Sequence, residues 1–394
     1  MPEQKNPHQG PIRLAIVGGG PQSFIGPIHQ SAAVLDRKFQ IVAGAVSSDP
    51  IKAKAQGVAI GLSNDRAYAS VAEMINGEFQ RSEADRIEAV AVMSPNDRHF
   101  PDCCLALQAG LHVICDKPLT HSVTQAQTLL KLVDDSNLVF GVTYNYSGYP
   151  MVRQARAMVK SGAIGAVRML HVEYFQGGMA TRIEDTELTP KLQWKLNPER
   201  SGPSLVLGDI GTHAHHLASF VGSSPVTQVS ADVGTVVPGR TFDDYAAIQW
   251  RFANGARGMC CVTQAAAGAE NNISFRIYGE TGMIEWQHTQ ANYLRHAPLN
   301  EPLRVLGRGD PYLLPPAVRA TRIARGHPEG FRESFANLYS DFAALITEKQ
   351  NVKAPDRLAH DLPNIRDGVN GLLFIEAVLK SSHSDGSWVK YQSV

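Results

Sequence analysis

The sequence lacks an excess of charge of either sign. Lysine and arginine together number 37 among the 394 residues, and aspartate and glutamate together also number 37. A balanced chain offers no broad basic or acidic surface, so we expect neither a nucleic-acid partner nor binding to an anionic membrane. Any recognition of a phosphate group must therefore be local.

Cysteine is scarce, and its spacing argues against a disulfide framework. No Cys-x-x-Cys pattern occurs, and adjacent cysteines do not readily bridge to each other. The five cysteines are Cys103, Cys104, Cys115, Cys260 and Cys261. We expect reduced thiols, as in a cytoplasmic protein.

Long apolar runs are also missing. No run approaches the roughly 20 residues that a helix needs to span a bilayer. The amino-terminal residues 1–7 lack the apolar core of a signal peptide, which again favours a cytoplasmic location. Apolar residues still make up 43% of the chain, and its length suffices for two domains.

The first 149 residues alternate short apolar runs with helical stretches. This alternation predicts a doubly wound parallel sheet, with ligands at the carboxyl ends of its strands. The apolar runs cover residues 11–17, 39–46, 86–93, 111–115 and 138–143. The predicted helices between them include 27–35, 51–56, 101–109 and 121–135.

The first apolar run leads into the glycine-rich stretch 18–26, and a helix follows. This context is the one that a dinucleotide fingerprint requires. Gly18 allows the tight turn, and Gly20 lets the backbone approach a pyrophosphate at the helix start. Strict spacing would put the third glycine at Ser23, but we prefer Gly26 because it leads directly into the helix.

The end of the second apolar run bears on the choice between NAD and NADP. An acid at this position binds the ribose 2′-hydroxyl and repels a 2′-phosphate. Here Ser47 and Ser48 occupy the strand end, whereas Asp49 precedes a proline and resembles a helix cap. Two hydroxyls with Lys52 and Lys54 nearby favour NADP over NAD.

The run at 111–115 ends in Asp116, Lys117 and Pro118. A lysine at the carboxyl edge of a parallel sheet is well placed for chemistry, and Asp116 is expected to help position it. Ser94, Asn96 and His99 follow the preceding strand and are expected to line the same cofactor cleft. Buried Cys115 is expected to be structural rather than a nucleophile.

Residues 150–394 predict a second α/β domain. Strand-like runs with short turns dominate after residue 220, so its sheet should be open and mostly antiparallel. The irregular segment 177–204 is expected to form a binding wall. Packing of a predicted helix near 362–382 back on the first domain is left open.

A second constellation of chemical groups lies at Asp209, His213 and His216. If a regular helix starts near Asp209, these three residues share one face. A histidine tuned by a carboxylate can accept a hydroxyl proton while Lys117 stabilises the resulting charge, as hydride transfer from an alcohol requires. A metal site or a purely structural role are the alternatives; we expect no metal, and structural roles for His215 and His216.

Two further residues are expected to contact a substrate. Asn145 lies at the end of the fifth predicted strand, between two tyrosines, and Trp194 lies in the irregular segment. Aromatic side chains at such positions can stack on the face of a sugar, although core packing would explain them equally well.

These motifs, in this order, resemble those of the glucose–fructose oxidoreductase and inositol dehydrogenase (Gfo/Idh/MocA) family. The resemblance covers nearly the whole chain. It depends on Gly18-Gly19-Gly20, the stretch 94–99, Asp116-Lys117-Pro118 and the Asp209-x-x-x-His213 pair.

The resemblance implies an NAD(P)-dependent dehydrogenase or reductase that acts on a sugar, polyol or inositol-like substrate. It implies Lys117, Asp209 and His213 as the catalytic groups. It also implies a homodimer or homotetramer formed through the open sheet. A non-catalytic sensor of nucleotide and sugar, and an NAD-dependent glycoside hydrolase, are alternatives on the same fold.

Three features depart from the family pattern. Asp116 replaces the usual glutamate, the loop at residues 21–24 is longer than usual, and His216 stands where an acid is common. The last departure leaves the substrate preference open.

Overall fold

The computed structural model describes residues 10–350 and 356–394. Residues 1–7, on which the expectation about a leader rests, lie outside the described residues. Two compact units are present. As far as it is described, unit 1 comprises Met1–Thr120, Thr124–Thr143 and Phe335–Ile365, and unit 2 comprises the remainder.

Unit 1 contains the predicted parallel sheet. Its five strands are all parallel and lie in the order β2-β1-β3-β4-β5. The elements up to residue 143 are β1 (Ile12–Gly18), α1 (Gly26–Leu35), β2 (Phe39–Ala45), α2 (Pro50–Ala59), α3 (Val71–Phe79), β3 (Ala89–Met93), α4 (Asn96–Gln108), β4 (His112–Cys115), α5 (Val123–Asp134) and β5 (Phe140–Val142).

Helix α4 begins five residues earlier than the sequence suggests. It starts at Asn96 and contains Pro101, the residue at which the sequence predicts its start. Proline costs one backbone hydrogen bond inside a helix, but its fixed φ is close to the helical value. Asn96 and His99 are therefore helical residues rather than loop residues.

Unit 2 holds a nine-stranded sheet in the order β13-β12-β11-β10-β6-β9-β8-β7-β14. Its strand pairs are antiparallel except for β6 and β9, which confirms the predicted mostly antiparallel sheet. The elements up to residue 334 are α6 (Pro150–Lys160), β6 (Val167–Gln176), α7 (Pro190–Lys195), α8 (Pro198–Ser201), α9 (Thr212–Gly222), β7 (Val226–Gly234), β8 (Tyr245–Phe252), β9 (Arg257–Thr263), β10 (Asn271–Gly279), β11 (Gly282–Gln287), β12 (Tyr293–Pro298), β13 (Arg304–Gly307) and α10 (Pro315–Arg319).

The chain closes with α11 (Phe331–Lys349), α12 (Ile365–Ser382) and β14 (Val389–Lys390). The units differ from the expected division at residue 149, because residues 335–365 group with unit 1 and residues 366–394 with unit 2. Aromatic packing explains the first grouping: Phe342 stacks on Phe39 at 5.8 Å, and Tyr339 lies edge-on to the same ring at 5.6 Å. Within the part of the chain that is described, no helix has the length and apolarity to cross a membrane.

Candidate functional site

The glycine-rich loop of unit 1 leaves no room for side chains. Gly18 and Gly19 have φ of 73° and 67°, values that favour glycine. A Cβ on Gly26 would lie 2.0 Å from the Gly19 carbonyl oxygen, so the start of α1 packs directly on the loop. A Cβ on Gly20 would lie 2.8 Å from the Val46 carbonyl oxygen. A bare backbone beside a helix amino terminus fits the pyrophosphate of a dinucleotide.

The chain after β2 carries serine hydroxyls, and the nearby acid, Asp49, is already engaged in hydrogen bonds. The Asp49 carboxylate accepts hydrogen bonds from the backbone N–H groups of Ile51 (3.0 Å) and Lys52 (3.2 Å), and so caps α2. The bond from the Lys52 N–H is the main cause that lowers the pKa of Asp49. The Ser47 hydroxyl accepts a bond from the Asp49 N–H at 3.2 Å. The cap predicted at Asp49 is therefore present in the structure.

The turn after β4 is held by Asp116. Its Oδ1 atom accepts the backbone N–H of Lys117 at 3.0 Å and the hydroxyl of Thr143 at 2.6 Å. The carboxylate thus caps the turn and ties it to the end of β5. Lys117 is half-buried, and its peptide bond to Pro118 is cis.

The end of β3 is tied to the same turn by His99. This buried ring lies 2.8 Å from the Ser94 carbonyl oxygen and 2.9 Å from that of Pro118. The Ser94 hydroxyl donates to Asp102 at 3.0 Å. The structure therefore brings Ser94, His99 and the Asp116–Lys117 turn together within unit 1.

In unit 2, the segment before α9 is not a regular α-helix. Residues Leu207–Gly211 form a π-helical turn that contains Asp209 and runs directly into α9. The regular spacing assumed from Asp209 onward therefore does not hold through Gly211, because a π-helical turn is wider than an α-helical one; the shared face of Asp209, His213 and His216 stays a prediction. Such turns are frequent at functional sites.

The Asp209 carboxylate is held by two residues that the sequence did not single out. Its Oδ2 atom accepts a hydrogen bond from the Lys195 ammonium group, with which it forms an ion pair, and one from the Gln264 amide at 2.6 Å. Lys195 ends α7, inside the irregular segment, and Gln264 directly follows β9. Only the fold places these two donors on one oxygen.

His213 lies among tyrosine rings. Its ring centroid is 5.0 Å from that of Tyr146, 5.8 Å from that of Tyr144 and 6.3 Å from that of Tyr174. The Tyr144 hydroxyl bonds to that of Thr212 at 2.7 Å, on the same helix as His213. Aromatic contacts therefore fix the position of the histidine ring.

A hydrogen-bond network extends from Asp209 to these tyrosines. The Gln264 amide also donates to Gln176 (3.0 Å), and the Gln176 amide donates to Asn271 (2.5 Å). The Tyr174 hydroxyl donates to Asn271 Oδ1 (2.9 Å) and the Asn271 amide to Tyr146 (3.1 Å), while the two tyrosine hydroxyls lie 2.6 Å apart. Burial raises the pKa of both tyrosines, so their hydroxyls stay protonated as donors.

The sequence contains one signal for the residues of this network, which is the presence of polar side chains within and beside apolar strands. Tyr174 and Gln176 are two residues apart on β6 and so point to the same face of the sheet. Gln264 directly follows β9, and Asn271 begins β10. Polar side chains at such positions need hydrogen-bond partners if the face is buried. The signal marks the residues but does not reveal which of them meet.

The helix start that precedes Asp209 is capped from a distant loop. Asp243 accepts the Ser204 hydroxyl at 2.5 Å and the backbone N–H groups of Leu205 (2.9 Å) and Val206 (3.0 Å). A carboxylate at a helix amino terminus satisfies donors that have no partner within the helix. Asp243 therefore fixes the start of the segment that carries Asp209 and His213.

The two expected substrate contacts have different surroundings. Asn145 is buried, and its amide nitrogen has no hydrogen-bond partner among the described residues. Trp194 lies in α7 and is half-buried. Trp194 directly precedes Lys195, whose ammonium group bonds to the Asp209 carboxylate.

The remaining histidines and Cys115 have packing partners. His215 stacks on Phe374 at 4.4 Å and bonds to the Tyr391 hydroxyl at 3.0 Å, and burial lowers its pKa to about 3. His216 stacks on Tyr144 at 4.4 Å. Burial raises the pKa of Cys115 well above its usual value, which keeps the thiol protonated. These environments agree with the expected structural roles.

Comparisons with known proteins give a consistent result. The model of the oxidoreductase family with an NAD-binding Rossmann fold (GFO/IDH/MocA) matches residues 12–144, and that of the GFO/IDH/MocA carboxyl-terminal domain matches residues 152–285. An uncharacterised oxidoreductase of Bacillus subtilis is 33% identical, with 97% of each chain covered. A levoglucosan dehydrogenase of Pseudarthrobacter phenanthrenivorans is 26% identical, with 96% of this chain and 97% of that protein covered.

A solved structure extends the comparison to the fold. An inositol dehydrogenase homologue of Azotobacter vinelandii, complexed with NAD+, is 36% identical. Its TM-score is 0.91, and the match covers 97% of this chain and 98% of that chain.

Replacement of Asp243 tests how the helix start is held. Asp243→Ala removes three hydrogen bonds at a helix amino terminus, so we expect the free energy of unfolding to fall by about 1–2 kcal/mol. Denaturant unfolding followed by circular dichroism measures the change. Asp232→Ala, which removes an exposed acid from β7, is the matched control and should stay within about 0.5 kcal/mol of the wild type. Equal stability of the Asp243→Ala and control variants would contradict the capping role.

Proposed function

The chain belongs to the Gfo/Idh/MocA oxidoreductase family, and from this premise we propose that it transfers hydride between a nicotinamide cofactor and a secondary hydroxyl or ketone of a sugar, polyol or inositol-like substrate. The full-length similarity to a levoglucosan dehydrogenase and to an inositol dehydrogenase homologue supports this substrate class. We place the protein in the cytoplasm, since the cysteines are free thiols.

The observation that carries the proposal is the neutral hydrogen-bonding network beside His213. Tyrosine hydroxyls and carboxamides both donate and accept hydrogen bonds, as the hydroxyls of a polyol do. The network includes the ion pair of Asp209 with Lys195, in which the charges offset each other. Such surroundings suit an uncharged polyhydroxylated substrate better than an anion.

The roles of the central residues follow from their chemistry. When bound, the nicotinamide accepts or returns the hydride. His213 takes the proton from the reacting hydroxyl, and Asp209 assists it electrostatically. Lys117 binds the reacting oxygen and stabilises the negative charge that develops there. Asn145 and Trp194 are proposed to contact the substrate away from the reacting carbon.

Lys117→Ala tests the assignment. Loss of the cation should lower turnover by at least about 100- to 1,000-fold, the usual cost of removing a group that stabilises a developing oxyanion. Cofactor binding, measured by NADH fluorescence, should persist. The assay is a panel of sugars, polyols and inositols followed at the nicotinamide absorbance, with NAD and NADP run separately.

Each result of this assay is decisive. Undiminished turnover in Lys117→Ala would refute the role of the lysine. Cofactor binding by the wild type without turnover of any compound would favour a sensor. Co-purified cofactor that never exchanges, with hydrolysis of aryl glycosides, would favour a glycoside hydrolase.

We further propose that, of NAD and NADP, the cleft prefers NADP. The Asp49 carboxylate is engaged in the helix cap, which leaves the hydroxyls of Ser47 and Ser48 for a 2′-phosphate. Lys52 lies 3.6 Å from Asp49 and adds positive charge nearby.

Ser47→Asp tests this preference. An acid at the strand end should bind the ribose 2′-hydroxyl and repel a 2′-phosphate. We expect the ratio of kcat/KM for NADP to that for NAD to fall by about tenfold, which corresponds to about 1.4 kcal/mol. Thr124→Asp, which adds an acid to the exposed first turn of α5, is the control. An unchanged ratio in Ser47→Asp would argue against this position as the determinant.

We also propose a homodimer or homotetramer formed through the uncovered face of the unit 2 sheet. Register places His171 beside Met259 and beside Arg276, so these residues share one face. Met169 and Met259 are 45% and 50% exposed, and Tyr293 is 53% exposed. Apolar side chains exposed together on a sheet are typical of an interface.

Light scattering after gel filtration tests the assembly. The wild type should have two or four times the 42.8 kDa chain mass. Met259→Asp should shift the mass towards the monomer, because it would bury a charge at the interface. Met283→Leu, a volume-conserving change in β11, should not. A monomeric wild type would refute the proposal.

A further inference from the structure

His99 has an unusual pair of hydrogen-bond partners. Its Nδ1 atom lies 2.9 Å from the carbonyl oxygen of Pro118, and its Nε2 atom lies 2.8 Å from that of Ser94. The side chain is 1% exposed, so water does not replace either partner. Both distances are those of good N–H···O bonds.

Carbonyl oxygens only accept hydrogen bonds, so both ring nitrogens of His99 must donate. A neutral imidazole has one N–H group, and only the imidazolium has two. We infer that His99 is a buried imidazolium that positions Lys117 by clamping the end of β3 to the Lys117–Pro118 turn. Its importance for turnover rests on the role of Lys117 proposed above.

The charged surroundings of His99 are suited to a cation. Asp102, one turn along α4, is buried; burial raises its pKa, while the nearby charges of Arg98 and His99 and the Ser94 hydroxyl act to lower it. A second carboxylate, that of Asp116 after β4, belongs to the same turn, since it accepts the Lys117 N–H.

His29 on α1 shows the opposite behaviour. Its Nδ1 atom lies 2.8 Å from the Tyr339 hydroxyl, which can donate or accept. Burial lowers the pKa of His29, Asp116 opposes this shift, and the proximity of His99 adds to it. Of these two neighbouring buried histidines, His29 is therefore the neutral one.

The two contacts around Lys117 act as a pair. Asp116 accepts the Lys117 N–H on one side, and His99 binds the carbonyl of the following residue, Pro118, on the other. The backbone that carries the lysine is thus fixed on both sides. A neutral ring would set a nitrogen lone pair against one of the two carbonyl oxygens, so both contacts require that both ring nitrogens carry a proton.

The charge of His99 can be read directly in the wild-type holoenzyme. Nuclear magnetic resonance of protein labelled with nitrogen-15 in histidine separates protonated from bare ring nitrogens. At pH 7 we expect two protonated nitrogens for His99 and one for His29, with the signals assigned by His99→Gln and His29→Gln. A bare nitrogen on His99 at pH 7 would overturn the inference, whatever the enzyme turns over.

The positioning role has a separate kinetic test, made with the substrate that the panel identifies. Glutamine offers one nitrogen and one oxygen, so His99→Gln keeps at most one of the two contacts. Displacement of the lysine should lower kcat by about 100-fold, with a much smaller change in the KM for the cofactor.

His29→Gln is the matched control, because it removes a buried histidine of unit 1 that donates to no pair of carbonyls. It should keep wild-type kcat. A wild-type kcat in His99→Gln would refute the positioning role. Absence of turnover in the wild type would instead count against the proposed function and leave the resonance result to decide the charge.

Discussion

The candidate site depends on one constraint, which is that buried backbone groups at the ends of strands and helices must find hydrogen-bond partners. At the carboxyl edge of unit 1, the carbonyls of Ser94 and Pro118 meet His99, and the N–H of Lys117 meets Asp116. In unit 2, Asp243 satisfies the first N–H groups of the segment that carries Asp209. Side chains that form hydrogen bonds with these backbone groups thereby fix the positions of the proposed catalytic residues Lys117 and Asp209.

Local sequence patterns predicted the features that depend on local physics. The glycine loop packs at Gly26 because the helix start lies against Gly19, and the Asp49 cap forms because Asp-Pro begins a helix. The alternation of strands and helices predicted the parallel sheet. The preference for Gly26 over Ser23 as the third glycine position also rested on local sequence, because Gly26 leads directly into the helix. In the structure, the Ser23 hydroxyl accepts a hydrogen bond from the Gly26 N–H at 3.1 Å.

Long-range partners could not be predicted in this way. Lys195 and Gln264 are 69 residues apart by number, yet they bind the same oxygen of Asp209. The π-helical turn at Leu207–Gly211 leaves no mark in the apolar periodicity, so the regular helical spacing assumed around Asp209 does not describe this turn. Likewise, the grouping of residues 335–365 with unit 1 rests on rings of Phe39 and Phe342 that are far apart in sequence.

The buried histidines show why partners matter more than residue type. His288 donates from Nδ1 to the Asn271 carbonyl oxygen at 2.8 Å and accepts at Nε2 from the Tyr149 hydroxyl at 2.9 Å, so one donor and one acceptor fit a neutral ring. Burial lowers its pKa accordingly. His99 faces two acceptors and requires the cation, although it is at least as deeply buried. The same side chain is therefore neutral at one position and cationic at the other, and its hydrogen-bond partners determine which form it takes.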